Sequence, residues 1–213
     1  IHSEDTDEDT KGFVYITGGV LTLAAGGDGI SSSYVVQADG GSFDISTSST
    51  ETDTSTKGIK AQKYVILKDG TYQLATADDG IHCNGNVYVC GGTYSINSGD
   101  DGIHADDGAA ISGGSIKISE SCEGIEGLTI DITGGQIDIT ASDDGVNAAG
   151  GRDGSSMEKG QDPFVSMEGA YISISGGSLR INASGDGISS LDYNGKAVVT
   201  GGIFASSGAS GCI

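Results

Sequence analysis

The chain has 213 residues, with 30 acidic against 10 basic side chains, a formal net charge of −20, 38 glycines, one proline and no tryptophan. Such an acid excess repels phosphate, which argues against nucleic acid and anionic membranes as partners; it attracts divalent cations and tolerates neutral sugars. No apolar run approaches the ~20 residues of a membrane span and no signal peptide is visible, so membrane insertion is not expected.

Residues 1–11 (IHSEDTDEDTK) hold five acids and almost no apolar pattern, which predicts a solvated acidic tail. From Gly12 to Ile213 one phrase keeps returning: Gly-Gly, an alternating apolar strand, a small polar stretch, then Asp-Asp-Gly-Ile. Gly91 to His104 and Gly134 to Asn147 are the clearest copies. The glycines before the short Ile strand are Gly29, Gly58, Gly80, Gly102, Gly124, Gly145, Gly187 and Gly211, spaced 21 or 22 apart over the regular part. A repeat of this length marks a solenoid, in which each unit buries its apolar face only by stacking on its neighbours. The glycines read as turn chemistry.

Within each coil three segments alternate apolar and polar residues, the period of strands with one buried face. In one coil these are Tyr94 and Ile96 after the glycine pair, Ile103 after the single glycine, and Ala109 and Ile111 before the next pair. Tyr72 and Tyr94 fall on inward positions. No helical pattern occurs. The expected fold is therefore all-β, a single-stranded parallel β-helix of about eight coils with three short strands each, spanning 12–213. Residues 46–57 and 149–169 read as loop insertions, the second roughly one coil long, and long loops on a rigid solenoid are where sites gather. The chain opens at Ile1 rather than Met and stops at Cys212-Ile213 within a coil, which points to a trimmed product with more chain or a partner beyond. Cys83, Cys90, Cys122 and Cys212 lack the paired spacings of a zinc site, and Cys83 and Cys212 stand at core positions.

Down the repeat, acids stand in matching positions: Asp28, Asp79, Asp101, Glu123, Asp144 and Asp186 just before the glycine, with Lys57 in the same column. One place earlier come Asp78, Asp100, Cys122 and Asp143. Like charges one coil apart, ~4.8 Å, repel by about 0.8 kcal/mol even in water, so something must compensate. Ca²⁺, which takes six to eight oxygens, fits such a column. Asp78, Asp79, Asp100, Asp101, Glu123, Glu126, Asp143 and Asp144 are the expected metal ligands. Asp106-Asp107-Gly108 and Asp192 read as turn residues. A second column, two places after the glycine, holds Ser31, Lys60, His82, His104, Glu126, Asn147 and Ser189. It is expected to face outward, with His82 and His104 suited to donating hydrogen bonds to a sugar. Sugar contacts are expected at His82, His104, Asn147, Lys60 and Arg152. Tyr15, Tyr88, Tyr171 and Tyr193 are the aromatic candidates for stacking.

The phrases GG-x-I-x-I at 113–118 and S-G-D-D-G-I-H-A at 98–105, as they stand in this sequence, resemble the clostridial cellulose- and acid-sugar-binding β-helix proteins. These are carbohydrate-binding domain-containing proteins related in fold to pectate lyases. The resemblance covers Gly12 to Ile213. It implies a right-handed helix, several bound Ca²⁺ ions, an extracellular or cell-surface setting, and binding of polygalacturonate or pectin, with cellulose as a further partner. The rival reading is a Ca²⁺-dependent lyase that uses Lys60, Lys117, Arg152 or Lys159 as base.

Overall fold

The computed structural model describes residues 1–5, 11–49, 54–148, 168–184 and 191–208. Every regular element among them is a β-strand and every strand pair is parallel. The chain visits three faces in turn. Three-residue strands such as Ile81–Cys83 form the first, four-residue strands such as Asn86–Val89 the second, and six-residue strands such as Thr93–Ser98 the third. The first two faces make one 14-stranded sheet among the described residues, crossed by the long strands Ile103–Ile111 and Ile125–Ile132; the third is an 8-stranded sheet. Neighbouring strands are one repeat apart. Ile81 pairs with Ile59 and Ile103, Val87 with Val65 and Ala109, and Tyr94 with Tyr72 and Ile116. This is the expected parallel β-helix.

The core forms because alternation sends one side chain in two to the interior of the coil, where it meets its counterpart one coil away. Ile45, Ile96, Ile118, Ile139 and Ile181 line the third face this way, all buried. Beside them Phe43, Tyr72 and Tyr94 lie face to face, with ring centroids 4.6 and 4.5 Å apart and planes within 2°. That separation is close to the coil spacing, so the stack needs no distortion. Each buried phenol finds an acceptor at the corner: Tyr72 Oη donates to the Asp69 carbonyl at 2.9 Å and Tyr94 Oη to the Gly91 carbonyl at 2.7 Å. Cys83 is fully buried in register with Ala105, as a core filler.

Glycine serves two purposes here. Gly92, second of its pair, has a φ of 95°, which side chains disfavour. Gly80 has ordinary φ, but a Cβ there would stand 2.7 Å from both the Gly102 carbonyl oxygen and Ile96 Cγ2. The single glycines are thus close-packing residues, which corrects their reading as turn chemistry.

Other expectations change too. His2–Ser3 pair with Ser31 and Ser32, and the Ile1 ammonium donates to the Gly29 carbonyl at 2.7 Å, so residues 1–5 begin the first face rather than trail from it. Strand Ser42–Thr47 runs into the first insertion, whose far side is tied back by a hydrogen bond from Thr47 Oγ1 to the Thr56 carbonyl. Asp106-Asp107-Gly108 lie inside strand Ile103–Ile111, where two residues oppose one because the next repeat is a residue shorter, a β-bulge rather than a turn. Val146 and Asn147 pair with Leu191 and Asp192, so Asp192 is a strand residue rather than a turn residue. Gly187, Ile188, Ser189, Asp186, Gly211, Cys212 and nearly all of the second insertion, with Arg152 and Lys159, lie outside the described residues.

Candidate functional site

The site is built where each coil turns into the first face. The residue before the single glycine sends a carboxylate toward the next coil, and one oxygen accepts the backbone N–H of the equivalent residue there. Asp28 Oδ1 accepts from Lys57 at 3.0 Å, Asp79 Oδ1 from Asp101 at 3.0 Å, and Asp101 Oδ1 from Glu123 at 3.1 Å. The ladder of acids is therefore also a ladder of backbone caps, which ties each winding to the next.

The column expected to face outward is not open to solvent. His82, His104 and Asn147 are only 2, 1 and 1 % exposed. They do point away from the apolar core, but the strand is only three residues long and the acids of the corner before it fold over its outer side. His82 Nδ1 lies 2.8 Å from Asp79 Oδ2. His104 Nδ1 lies 3.1 Å from Asp101 Oδ2 and 2.7 Å from Glu126 Oε2, while its Nε2 lies 3.2 Å from Asp106 Oδ1. The two rings stack with centroids 4.8 Å apart. Contact between His104 and a sugar would require breaking bonds at both nitrogens. Lys60, in register with His82, donates to Ser55 Oγ at 3.0 Å and lies 3.9 Å from Asp28 Oδ2.

The slot differs along its length. In its first half Lys57, itself buried, places Nζ 2.6 Å from Asp79 Oδ2 and 3.1 Å from Asp78 Oδ2. Burial alone would raise the pKa of Asp79, but the His82 hydrogen bond and the Lys57 charge outweigh it and hold the carboxyl well below its ordinary range. Here the protein itself supplies a counter-charge to Asp78 and Asp79.

Further along, the balance reverses. Burial, with the charges of Asp79 and Glu126, pushes Asp101 well up despite the His104 hydrogen bond. Glu123 is raised by burial, then by Glu126 and Asp101, and Asp143 by burial and Asp192. Burial disfavours the His104 imidazolium, yet hydrogen bonds to Asp101, Asp106 and Glu126 raise its pKa, so it offsets part of the negative charge.

Whether this set suits a metal turns on its donors. Ligand atoms of Asp101, His104 and Glu126 lie within 4.8 Å of one another, as do those of Asp78, Asp79 and Asp100, and of Asp100, Asp101 and Cys122. Asn147 Nδ2 donates to Glu123 Oε2 at 3.0 Å, and its buried Oδ1 has no hydrogen-bond partner among the described residues. A buried amide oxygen without a donor calls for an explanation. Beside carboxylates strained toward protonation, it completes the oxygen-rich donor set that a hard cation takes. Glu123 with Asn147, and Asp101 with Glu126, therefore offer oxygen donors of the kind Ca²⁺ takes, with Asp100 and Asp143 half-buried. Cys122 stands between those two, its thiol pushed up to about 12 by burial and the surrounding acids, which makes it a poor ligand.

Fold and ladder together define a β-solenoid with a cation-seeking slot. A family model described as "Carbohydrate-binding domain-containing protein" matches residues 1–102 and again residues 100–211. The chain belongs to this family, and its partner is a carbohydrate. Comparison with curated proteins and with solved structures gave no match.

Proposed function

We propose that this chain is a non-catalytic, calcium-dependent module that binds acidic plant cell-wall polysaccharide, of the polygalacturonate type, outside the cell. The observation that carries this reading is the Asn147 carbonyl oxygen, buried and without a hydrogen-bond partner among the described residues, on a side chain bonded to Glu123, whose carboxyl is strained toward protonation. A chain of net charge −20 repels a polyuronate, and a bridging cation turns that repulsion into attraction. Asp101, Glu123, Glu126, Asp144 and Asn147 would hold Ca²⁺, which supplies positive charge and coordination positions. Half-buried Asp100 and Asp143 bring the outer edge of the set within reach of a ligand carboxylate. An extracellular setting suits the weak calcium sites of such modules.

Among the described residues, the positions of Lys60 and Lys117 favour binding over elimination. A lyase needs a base beside its metal. Lys60 is bonded to Ser55 in the first half, and Lys117 lies on the third face in register with Ser95 and Asp138. Calorimetry on chelator-stripped protein tests the metal assignment: wild type binds Ca²⁺, and Glu123→Gln and Asn147→Ala weaken binding at least tenfold. Retardation in polygalacturonate gels is expected to vanish with chelator. Unchanged titrations in both variants, or retardation indifferent to chelator, overturn the proposal; accumulation of unsaturated product absorbance moves the chain to the lyases.

A further inference from the structure

We propose that the groove around Ser121, at the corner where the third face turns back toward the first, is a subsite for a protonated amino sugar. The inference rests on the carbohydrate-binding role of the family and not on calcium. One winding carries an extra residue at this corner. Ile96 pairs with Ile118 but Asn97 with Glu120, so Ser119 bulges out of the ladder. Beside the bulge a groove of about 260 Å³ runs across four windings, its walls including Ser98, Ser119, Glu120, Ser121, Ser142 and Ser184. That is the share of roughly nine waters at ~30 Å³ each, room for one sugar ring.

Ser121 supplies the observation that points to a ligand. It is 4 % exposed, and its buried Oγ has no hydrogen-bond partner among the described residues, a cost that a bound group removes. The hydroxyls around it are already committed. Ser119 Oγ donates to the Ile96 carbonyl at 3.1 Å, Ser142 Oγ to the Ser121 carbonyl at 3.1 Å, Ser184 Oγ to the Ala141 carbonyl at 3.3 Å and Ser98 Oγ to the Asp100 carbonyl at 3.2 Å. A hydroxyl whose proton is engaged offers only lone pairs. The groove thus presents several acceptors and, at Ser121, one free donor. A matching ligand donates several hydrogen bonds and accepts one. A bare metal ion or a simple alkylammonium leaves the Ser121 proton unmet, whereas a ring with an ammonium beside a hydroxyl meets both demands. Charge then separates an amino sugar from a neutral one. Exposed Glu120, whose Oε2 accepts from Asn97 Nδ2 at 2.9 Å, stands at the rim, and no basic side chain lines the groove among the described residues. With a net charge of −20 behind it, this corner attracts an ammonium and repels a uronate.

Calorimetry on chelator-stripped protein at mildly acidic pH, with glucosamine, glucose, N-acetylglucosamine and methylammonium as probes, tests the subsite. Glucosamine is expected to bind at least tenfold more tightly than each of the others, and Glu120→Gln and Ser121→Ala each to weaken it at least fivefold. Glu120 is at the surface, so its variant probes the groove without touching the core. Both variants are expected to keep calcium-dependent retardation by polygalacturonate, which shows that they are folded. No binding of glucosamine, equal affinity for glucose or for methylammonium, or unchanged glucosamine binding in either variant overturns the subsite. Wild type that binds glucosamine but is not retarded by polygalacturonate strikes the calcium proposal alone.

Discussion

Two halves of the solenoid match the same family model, yet they handle the same problem in opposite ways. In the first, the acid ladder is neutralised from within: Lys57 is swung in by the 46–57 insertion and His82 lies under Asp79. In the second, His104 offsets only part of the charge of Asp101, Glu123 and Glu126, and an amide oxygen is left buried without a donor. The first half also carries a row of surface rings in mutual contact, Phe13, Tyr34, Tyr64 and Tyr88, which ends where the next coil sets Gly108 and Ala110 in register. One scaffold has thus diverged into a self-compensated, ring-bearing half and an uncompensated, oxygen-rich half. The lesson is that a repeated motif fixes where carboxylates stand, while one cation decides whether they are structure or site.

The sharpest way to break the contrast is Lys57→Met, which leaves Asp78 and Asp79 buried without their cation. We expect a loss of about 3–5 kcal/mol in urea unfolding, partly restored by calcium if the first half then behaves like the second. Next is the calcium response itself. Wild type should gain about 2.7 kcal/mol when free Ca²⁺ is a hundredfold above Kd; Glu123→Gln should gain little in the same thermal melts and be more stable than wild type without metal.

Coil spacing comes third. Gly102→Ala puts a methyl 2.6 Å from the Gly124 carbonyl and from Ile118 Cδ1, and overpacking of this kind costs about 1–3 kcal/mol, read as a lower denaturation midpoint. The pH dependence separates the halves by sign. Asp101 and Glu123 are raised, so the metal-free folded state keeps protons that the unfolded chain releases, and stability falls as pH rises above ~4, the unfolded value. His104, also raised, contributes stability that is lost as pH climbs through its folded value. Asp79 is depressed, so its contribution is full above ~4 and lost as pH falls. Melts in chelator should weaken from mildly acidic to neutral pH, and calcium should reverse that slope. The smallest effect belongs to Lys60→Ala, about 0–1 kcal/mol, because its ion pair is long and partly solvated.

Much of this was legible in the residues. The glycine-pair phrase specifies both the coil and its three faces, and period-two alternation correctly turns Tyr72 and Tyr94 inward. Alternation could not say whether an outward residue meets water. His82, His104 and Asn147 leave the core as predicted, but the corner before each short strand closes over them, a contact between segments of different phase. Lys57 was visible as the one base in an acid column; its burial was not, since that depends on how the insertion is tied by Thr47 and Ser55. Asp192 was misplaced because the last repeat does not keep the earlier interval.

The single-glycine column has a last consequence. Since Gly29, Gly58, Gly80, Gly102 and Gly124 each abut the carbonyl of the following winding, the distance between these rungs is set by main chain against main chain, and no side-chain adjustment can shorten it. Mg²⁺ demands six oxygens near 2.0–2.1 Å in strict octahedral array, whereas Ca²⁺ accepts longer and less regular bonds. At the proposed site, a frame that cannot contract toward the smaller ion would sort cations by size, with selectivity written into residues that never touch the metal.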